Sequence, residues 1–323
     1  MKRRLIKAAV QILGAVGMVV CLVWIAVAQP SCRQNHVSRA TVDPVTLRKH
    51  VETLSRQFYP RSWENKTTLD QCAEYIAKHF GEAGAIVEYQ SVTVHRKQYR
   101  NVIGRFNPGR GSRVVVGAHY DACGETPGAD DNASGVAALI ELAYLLGKST
   151  ATNAVELVAY VLEEPPFFRT AFMGSAAHAK SVADDKANVR GVIVLEMVGY
   201  FSDEWGSQAY PVPMLRLIYP SRANFIAVAS RWDQGDWIKK VKSGMKQTTD
   251  LPVYSIRAPS FLPGIDFSDH LNYWPYGIKA LMITDTAFYR NKMYHENGDT
   301  VDRLDYRRMS KCVVALFEAL KSI

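Results

Sequence analysis

Residues Ala118–Gly135 read AHYDACGETPGADDNASG and follow directly on the apolar triplet Val114-Val115-Val116. The run places His119, Asp121, Asp130, Asp131 and Asn132 in one loop-rich segment. An apolar run ending in turn residues is the pattern of a buried strand feeding a loop. A histidine at the strand's end and carboxylates in the loop beyond it offer borderline and hard ligands from a rigid edge. Imidazole nitrogen with carboxylate oxygen is a donor set that suits zinc. The stretch reads as half of a metal site, with the other half expected further along the chain.

Working outward, strands and helices alternate. Asp43 before Pro44 is a helix start, and Val45–Gln57 carries an apolar face through Val45, Leu47, Val51 and Leu54. Leu69–Ala83 repeats apolar residues at helical spacing, and Gly84 closes it. β-rich runs follow at Ile86–Tyr89, Val92–His95, Asn101–Phe106 and Arg113–Gly117. Ser134–Leu146 predicts a helix of small and apolar residues, Val155–Leu162 and Gly191–Leu195 buried strands, and Tyr306–Lys321 a closing helix. Val212–Leu217, Phe225–Ala229 and Ile278–Thr284 continue the alternation as further short apolar runs. This order predicts an α/β fold, a three-layer α/β/α sandwich on a mixed, mainly parallel sheet, with catalytic loops at the strands' carboxyl ends. No repeat, low-complexity linker or second domain boundary appears after residue 40.

The chain has 323 residues, 48% apolar and 22% charged, with a formal charge of +8. Lys2, Arg3, Arg4 and Lys7 account for four of its 39 basic residues, and residues 1–28 contain no acid. The remainder sets 35 basic against 31 acidic residues, a balance of +4 with no dense basic run, so nucleic acid is not an expected partner. Residues 1–28 form a targeting segment: a basic start, then the uncharged stretch Ala8–Ala28. Its length suits a bilayer-spanning anchor, whereas Ala26-Val27-Ala28 also matches a signal-peptide cleavage site. Typical signal cores run only ~7–15 residues, which favours the anchor. Either way the body is exported, held at the inner membrane or released after Ala28. Residues 29–40 are expected to be a linker and 41–323 the functional domain. Cys32, Cys72, Cys123 and Cys312 lie too far apart to show a disulfide framework, and Cys123 reads as a small buried residue or disulfide partner rather than a ligand.

Later polar groups also follow apolar strands. Val155–Leu162 runs into Glu163-Glu164, Gly191–Leu195 into Glu196, and Ile278–Thr284 into a loop holding Tyr294-His295 and Asp299-Thr300. Two adjacent glutamates behind a buried strand require compensation, and a cation provides it. With H-Y-D at 119–121, G-A-D-D-N-A-S-G at 128–135, E-E at 163–164, L-E-M at 195–197, S-D-H at 268–270 and Y-H-x-x-x-D-T at 294–300, the chain resembles the di-zinc exopeptidases of metallopeptidase family 28. Leucyl aminopeptidase is the bacterial type of that family. The elements occur in the family's order across most of residues 40–320.

The resemblance implies a co-catalytic pair of Zn2+ ions. His119 and Glu196 would bind the first ion, Glu164 and His295 the second, and Asp131 would bridge them. Asp121 would orient His119, Asp130 and Asn132 would support the loop, and a cis peptide would follow Asp131. Glu163 would be the general base, and the substrates peptides with a free N-terminus. Two departures stand out. Pro165–Met173 separates the Glu-Glu pair from Gly174-Ser175, which follow it closely in familiar members, and Glu196 stands where many carry Asp. Pro165–Met173 either walls a substrate pocket or packs a loop. The alternatives are a single-zinc glutaminyl-peptide cyclotransferase and a non-catalytic ectodomain of the same fold. The cyclases replace the Asp-Asp-Asn-Ala-Ser-Gly run that is intact here, and ectodomain relatives lose ligands or the base. No G-x-S-x-G nucleophile elbow is present.

Overall fold

The computed structural model describes residues 2–31, 38–149, 153–247 and 249–323. Eight strands form one sheet, β1 (Ile86–Val94), β2 (Lys97–Phe106), β3 (Arg113–His119), β4 (Val155–Tyr160), β5 (Val189–Glu196), β6 (Ile226–Arg231), β7 (Val253–Ala258) and β8 (Ala280–Thr284). They lie in the order β1-β2-β4-β3-β5-β8-β6-β7. The central strands β4, β3, β5 and β8 are mutually parallel, β6 pairs with β7 in parallel, and the other pairings are antiparallel. The expected mixed α/β sandwich is therefore the observed one.

Alternation along the strands sends side chains to two cores. Val114, Val116, Leu157, Ile193 and Leu195 face a large core closed by the helices α2 (Pro44–Glu52), α3 (Lys66–Glu82), α4 (Gly135–Gly147), α6 (Gly235–Lys246) and α7 (Tyr306–Ser322). Val115, Val158, Val192 and Val194 face a smaller one, closed by α5 (Gly174–Val182) and the 3-10 segment Asp269–Tyr276. α2 starts as expected, with Pro44 at its first position and the Asp43 carboxylate accepting the Val45 N–H at 3.0 Å. A long N-terminal helix, α1 (Lys2–Ala28), precedes this body.

Several local expectations give way. The two runs at 86–95 are one strand, β1, because the ladder to β2 runs unbroken from Ile86 to Val94 through polar Gln90 and Ser91, which an edge strand tolerates. Val212–Leu217 is a 3-10 turn at Pro213–Leu217 rather than a strand, since prolines 211 and 213 cannot donate to a ladder. Unanticipated from sequence were α5, α6 and β7. The α6 signal was present, with Trp237, Ile238, Val241 and Met245 buried at helical spacing among lysines. Nor do Gln29 and Ser31, at the start of the expected linker, run free: both hydrogen-bond to or from α6. Cys32 lies outside the described residues.

Candidate metal centre

The four central parallel strands end on one side of the sheet, so every polar group placed just past them converges there. β3 ends at His119 beside Tyr160 of β4, β5 ends at Glu196 beside Thr284 of β8, and Glu163-Glu164 follow β4 by three residues. The loop Ala129–Ser134 between β3 and α4 closes over these ends, and the Asp131–Asn132 peptide in it is cis.

Distances divide the cluster into two halves that share one carboxylate. His119 Nε2 lies 3.3 Å from Asp131 Oδ1 and 3.4 Å from Glu196 Oε2, with Glu163 Oε2 at 3.9 Å. His295 Nε2 lies 3.2 Å from Asp131 Oδ2 and 3.1 Å from Glu164 Oε2. Donor atoms of His119, Asp131 and Glu196 all fall within 4.8 Å of one another, as do those of His119, Glu163 and Glu164. All five ligand candidates and the base candidate named from sequence are thus brought to one place.

The electrostatics of this arrangement call for cations. Asp131, Glu163, Glu164 and Glu196 are all buried, and among the described residues no lysine or arginine pairs with them. Burial pushes the Glu163 carboxyl well above the carboxylate range; His119 pulls it down, while Glu196 and Glu164 push it further up. Burial, with Asp131 beside it, raises Glu164 to about 7, and burial raises Glu196 too. Asp131 goes the other way: burial would raise it, but hydrogen bonds from His119 and His295 hold it low. His119 is raised, the neighbouring Glu196 and Glu163 outweighing the burial that opposes its charge. Buried Glu164 Oε1 has no hydrogen-bond partner. Four packed acids with two imidazoles and an orphaned oxygen fit divalent ions taking nitrogen and oxygen ligands.

The supporting contacts were less legible in the sequence. Asp121 touches more than His119. The ring Nδ1 lies 3.2 Å from its backbone carbonyl and 3.5 Å from its carboxylate. That carboxylate accepts the N–H groups of Glu163 and Glu164 at 3.2 and 3.1 Å, fixing the turn that aims both glutamates. Asp299 accepts the N–H groups of Asp130 and Asp131 at 3.0–3.1 Å, tying the Ala129–Ser134 loop to the segment that carries His295. Asn132 donates to Leu195 O at 2.8 Å and accepts from Met197 N at 3.0 Å, joining that loop to the end of β5. Ser268 of the S-D-H run donates to Glu196 Oε2 at 2.6 Å. Arg61, between α2 and α3, is buried and donates to the carbonyls of Leu54, Tyr120, Pro127 and Gly128. Nothing near Arg61 in the chain signals this role, because its acceptors lie mostly 59 to 67 residues away.

Cys123 departs from expectation. It is a free thiol, only partly buried, with its sulfur within 4.8 Å of the donor atoms of Glu164 and His295. The Pro165–Met173 stretch packs as a loop, and none of its residues lines the cavity beside the cluster. Phe167 is buried against Trp63 at 5.4 Å between ring centres. Phe168 instead meets Phe267 at 6.1 Å. Phe267, with Glu196, Met282, Ile256, Phe288 and Tyr294, lines an apolar cavity opening beside the cluster.

The sequence profile of Peptidase family M28 matches residues 101–320. The "Uncharacterized protein YfbL" of Escherichia coli (strain K12) is 48% identical over 278 residues, covering 84% of this chain and 85% of that one. A "Probable leucine aminopeptidase" of Arthroderma otae is 25% identical over 290 residues, covering 84% and 70%. Among solved structures, a leucine aminopeptidase precursor from Bacteroides thetaiotaomicron superposes with a TM-score of 0.67 at 20% identity, covering 89% of this chain and 100% of that one. A glutaminyl cyclase from the same organism gives 0.65 at 19%, covering 88% and 99%. These two structural likenesses speak to the fold.

Proposed function

The chain belongs to Peptidase family M28, and from that premise we propose that it is an aminopeptidase working through two zinc ions, with Glu163 as general base. The observation that carries this reading is the Asp131 carboxylate, whose two oxygens face different histidines at 3.3 and 3.2 Å. His119 and Glu196 would hold one ion, His295 and Glu164 the other, and Asp131 both. Such a pair, when bound, polarises a scissile carbonyl and acidifies water.

The protein's own groups supply the rest. Glu163 sits beside the His119 half with no lysine or arginine partner among the described residues, buried and raised in pKa, which suits a group that takes a proton from attacking water and returns it to the departing amine. Asp121 holds it in place through its backbone N–H. A free α-amine offers a nitrogen donor that would suit the ions held by these residues, which a blocked terminus lacks. The apolar cavity beside Glu196, walled by Phe267, Met282 and Ile256, suits an apolar N-terminal side chain.

Metal analysis of the purified full chain, alongside peptides with free and N-acetylated termini, tests the reading. Two zinc equivalents and release of apolar N-terminal residues from free peptides only are expected, and Asp131→Ala should lower the bound zinc to one equivalent or none. One equivalent in the unaltered protein, with closure of N-terminal glutamine to pyroglutamate and no amino-acid release, would overturn it.

A further inference from the structure

The last turn of α1 is seated in a socket formed by α6 and β7. Arg257 Nε on β7 donates to Ala26 O at 2.5 Å, and Ser255 Oγ to Ala28 O at 2.8 Å. Lys242 Nζ on α6 reaches the same Ala28 carbonyl at 2.8 Å, together with those of Gln29 and the hydroxyl of Ser255. Gln29 turns left-handed at φ 43° and donates from its side chain to Gly235 O at 3.0 Å. A Cβ at Gly235 would stand 2.4 Å from Arg257 Nη1 and 3.0 Å from Gln29 Nε2, so a side chain there would have to displace the Arg257 guanidinium. Beyond it, Lys246 Nζ donates to Ser31 O at 2.8 Å.

The physical sense of the socket is a helix C-terminus capped from outside the helix. The final carbonyls of a helix lack intrahelical donors and carry partial negative charge, and here two cations of the globular body meet them. Lys242 is 2% exposed, and its charge is stabilised by those carbonyls. Cleavage after Ala28 would take away the Ala26 and Ala28 acceptors. It would also set a new α-ammonium on Gln29 beside a buried lysine.

Upstream of the socket, Val10–Ala28 is an apolar span of 19 residues, ~28 Å as a helix and long enough for a bilayer's hydrocarbon core. Ile12, Leu13, Met18, Val19 and Leu22 on it are all more than half exposed. The surface around its exit is suited to the headgroup layer. Leu215 packs in one cluster with Ala28, while Met214 and Leu217 on the same turn are 73% and 83% exposed. Trp232 is 41% exposed, with the Arg257 guanidinium 5.3 Å over its ring, level with the helix's last turn. Arg216, on the turn that bears Met214 and Leu217, is exposed, as are Lys239 and Lys240 of α6. Apolar tips and a tryptophan among cations match an anionic bilayer interface.

We propose that α1 is retained as a membrane anchor, and that its socketed last turn holds the face bearing Met214, Leu217 and Trp232 against an anionic bilayer. The full chain, recovered from membranes and reconstituted into phosphatidylethanolamine–phosphatidylglycerol vesicles, tests this through its intact mass and through a photoreactive benzoylphenylalanine at position 217 or 86. Ile86 is also apolar and 56% exposed, but lies on β1 at the opposite sheet edge from β7, about 33 Å away. The expected result is a mass that includes residues 1–28 and roughly tenfold more lipid adduct at 217 than at 86, in line with an interfacial preference of a kcal/mol or more. Lys242→Gln with Arg257→Gln should leave the chain in the membrane and erase most of that excess. A mature chain beginning at Gln29, or equal labelling at 217 and 86 in the unaltered protein, would overturn the proposal. An undiminished excess in a folded double variant would overturn the socket's part in it.

Discussion

Two buried acid–histidine clusters stand on and just past the same strand, and they are built on opposite terms. On β4, Glu156 accepts from Arg105 Nε at 2.8 Å and lies 3.1 Å from His178 Nε2 and 3.4 Å from Arg113 Nε. Its burial is outweighed by these partners, and its pKa falls to about 2. Past the end of the strand, Glu163 and Glu164 have no arginine or lysine partner among the described residues, are raised in pKa, and leave one oxygen without a partner. Burial is common to both clusters; closure of charge is not. A buried carboxylate whose partners come with the fold serves stability, whereas one left open to its neighbours' repulsion is held ready for something that binds.

The largest effect that could break this contrast is on turnover. Glu163→Gln should cut kcat by about 10^2–10^4 while zinc content and melting temperature stay close to those of the unaltered protein, since proton transfer is lost and ligation is not. Equal turnover in the variant would place the base elsewhere.

The mirror experiment is Glu156→Ala. Removing the acid strands Arg105, Arg113 and His178 near a buried site, with an expected loss of about 3 kcal/mol in denaturant unfolding and unchanged zinc stoichiometry. Because the folded pKa of Glu156 is depressed, its contribution is present above about pH 4.5 and is lost as pH falls towards 2. The difference between variant and parent should shrink in that window.

The open cluster carries the opposite sign. Carboxyls with folded pKa raised above their unfolded values, Glu164 to about 7, favour the metal-free fold in acid, and that stability is lost as pH rises from about 4.5 through 7. Zinc displaces those protons, so the rise in melting temperature on adding zinc should be larger at pH 8 than at pH 6, with proton release on binding. An increment independent of pH would mean the carboxylates are already ionised without metal.

The smallest expected effect concerns Cys123. With its sulfur within 4.8 Å of the Glu164 and His295 donors, its alkylation by iodoacetamide should slow when zinc is bound, read by peptide mass. Unchanged labelling would set the thiol outside the reach of the second ion.

Much of the fold was legible because β3, β4, β5 and β8 are buried and strongly apolar, and their carboxyl ends carry the polar residues that stood out. The edges were harder. β7 is short and only half buried along its length, and α6 mixes lysines with its apolar face, so local pattern understated both. Within the site, His119, Asp131, Glu163, Glu164, Glu196 and His295 could be picked out by type and by position after strands. Their supports could not: Arg61, Asp299 and Ser268 reach partners mostly 59 or more residues away, across contacts that no local spacing encodes.

The sequence by itself determined the α/β class, the strand ends at which ligand-type residues sit, and a membrane-length apolar segment, because each depends on periodicity or on neighbours in the chain. Tertiary structure decided the rest. It turned Glu163 towards His119 and Glu164 towards His295, gave each oxygen of Asp131 a separate histidine, and put the Asp121 carboxylate under two backbone N–H groups. It also set the end of α1 on Lys242 and Arg257, more than 200 residues further along. The physical reason is the same throughout: which charge meets which depends on strand order and loop path, and these are fixed only when distant segments pack together.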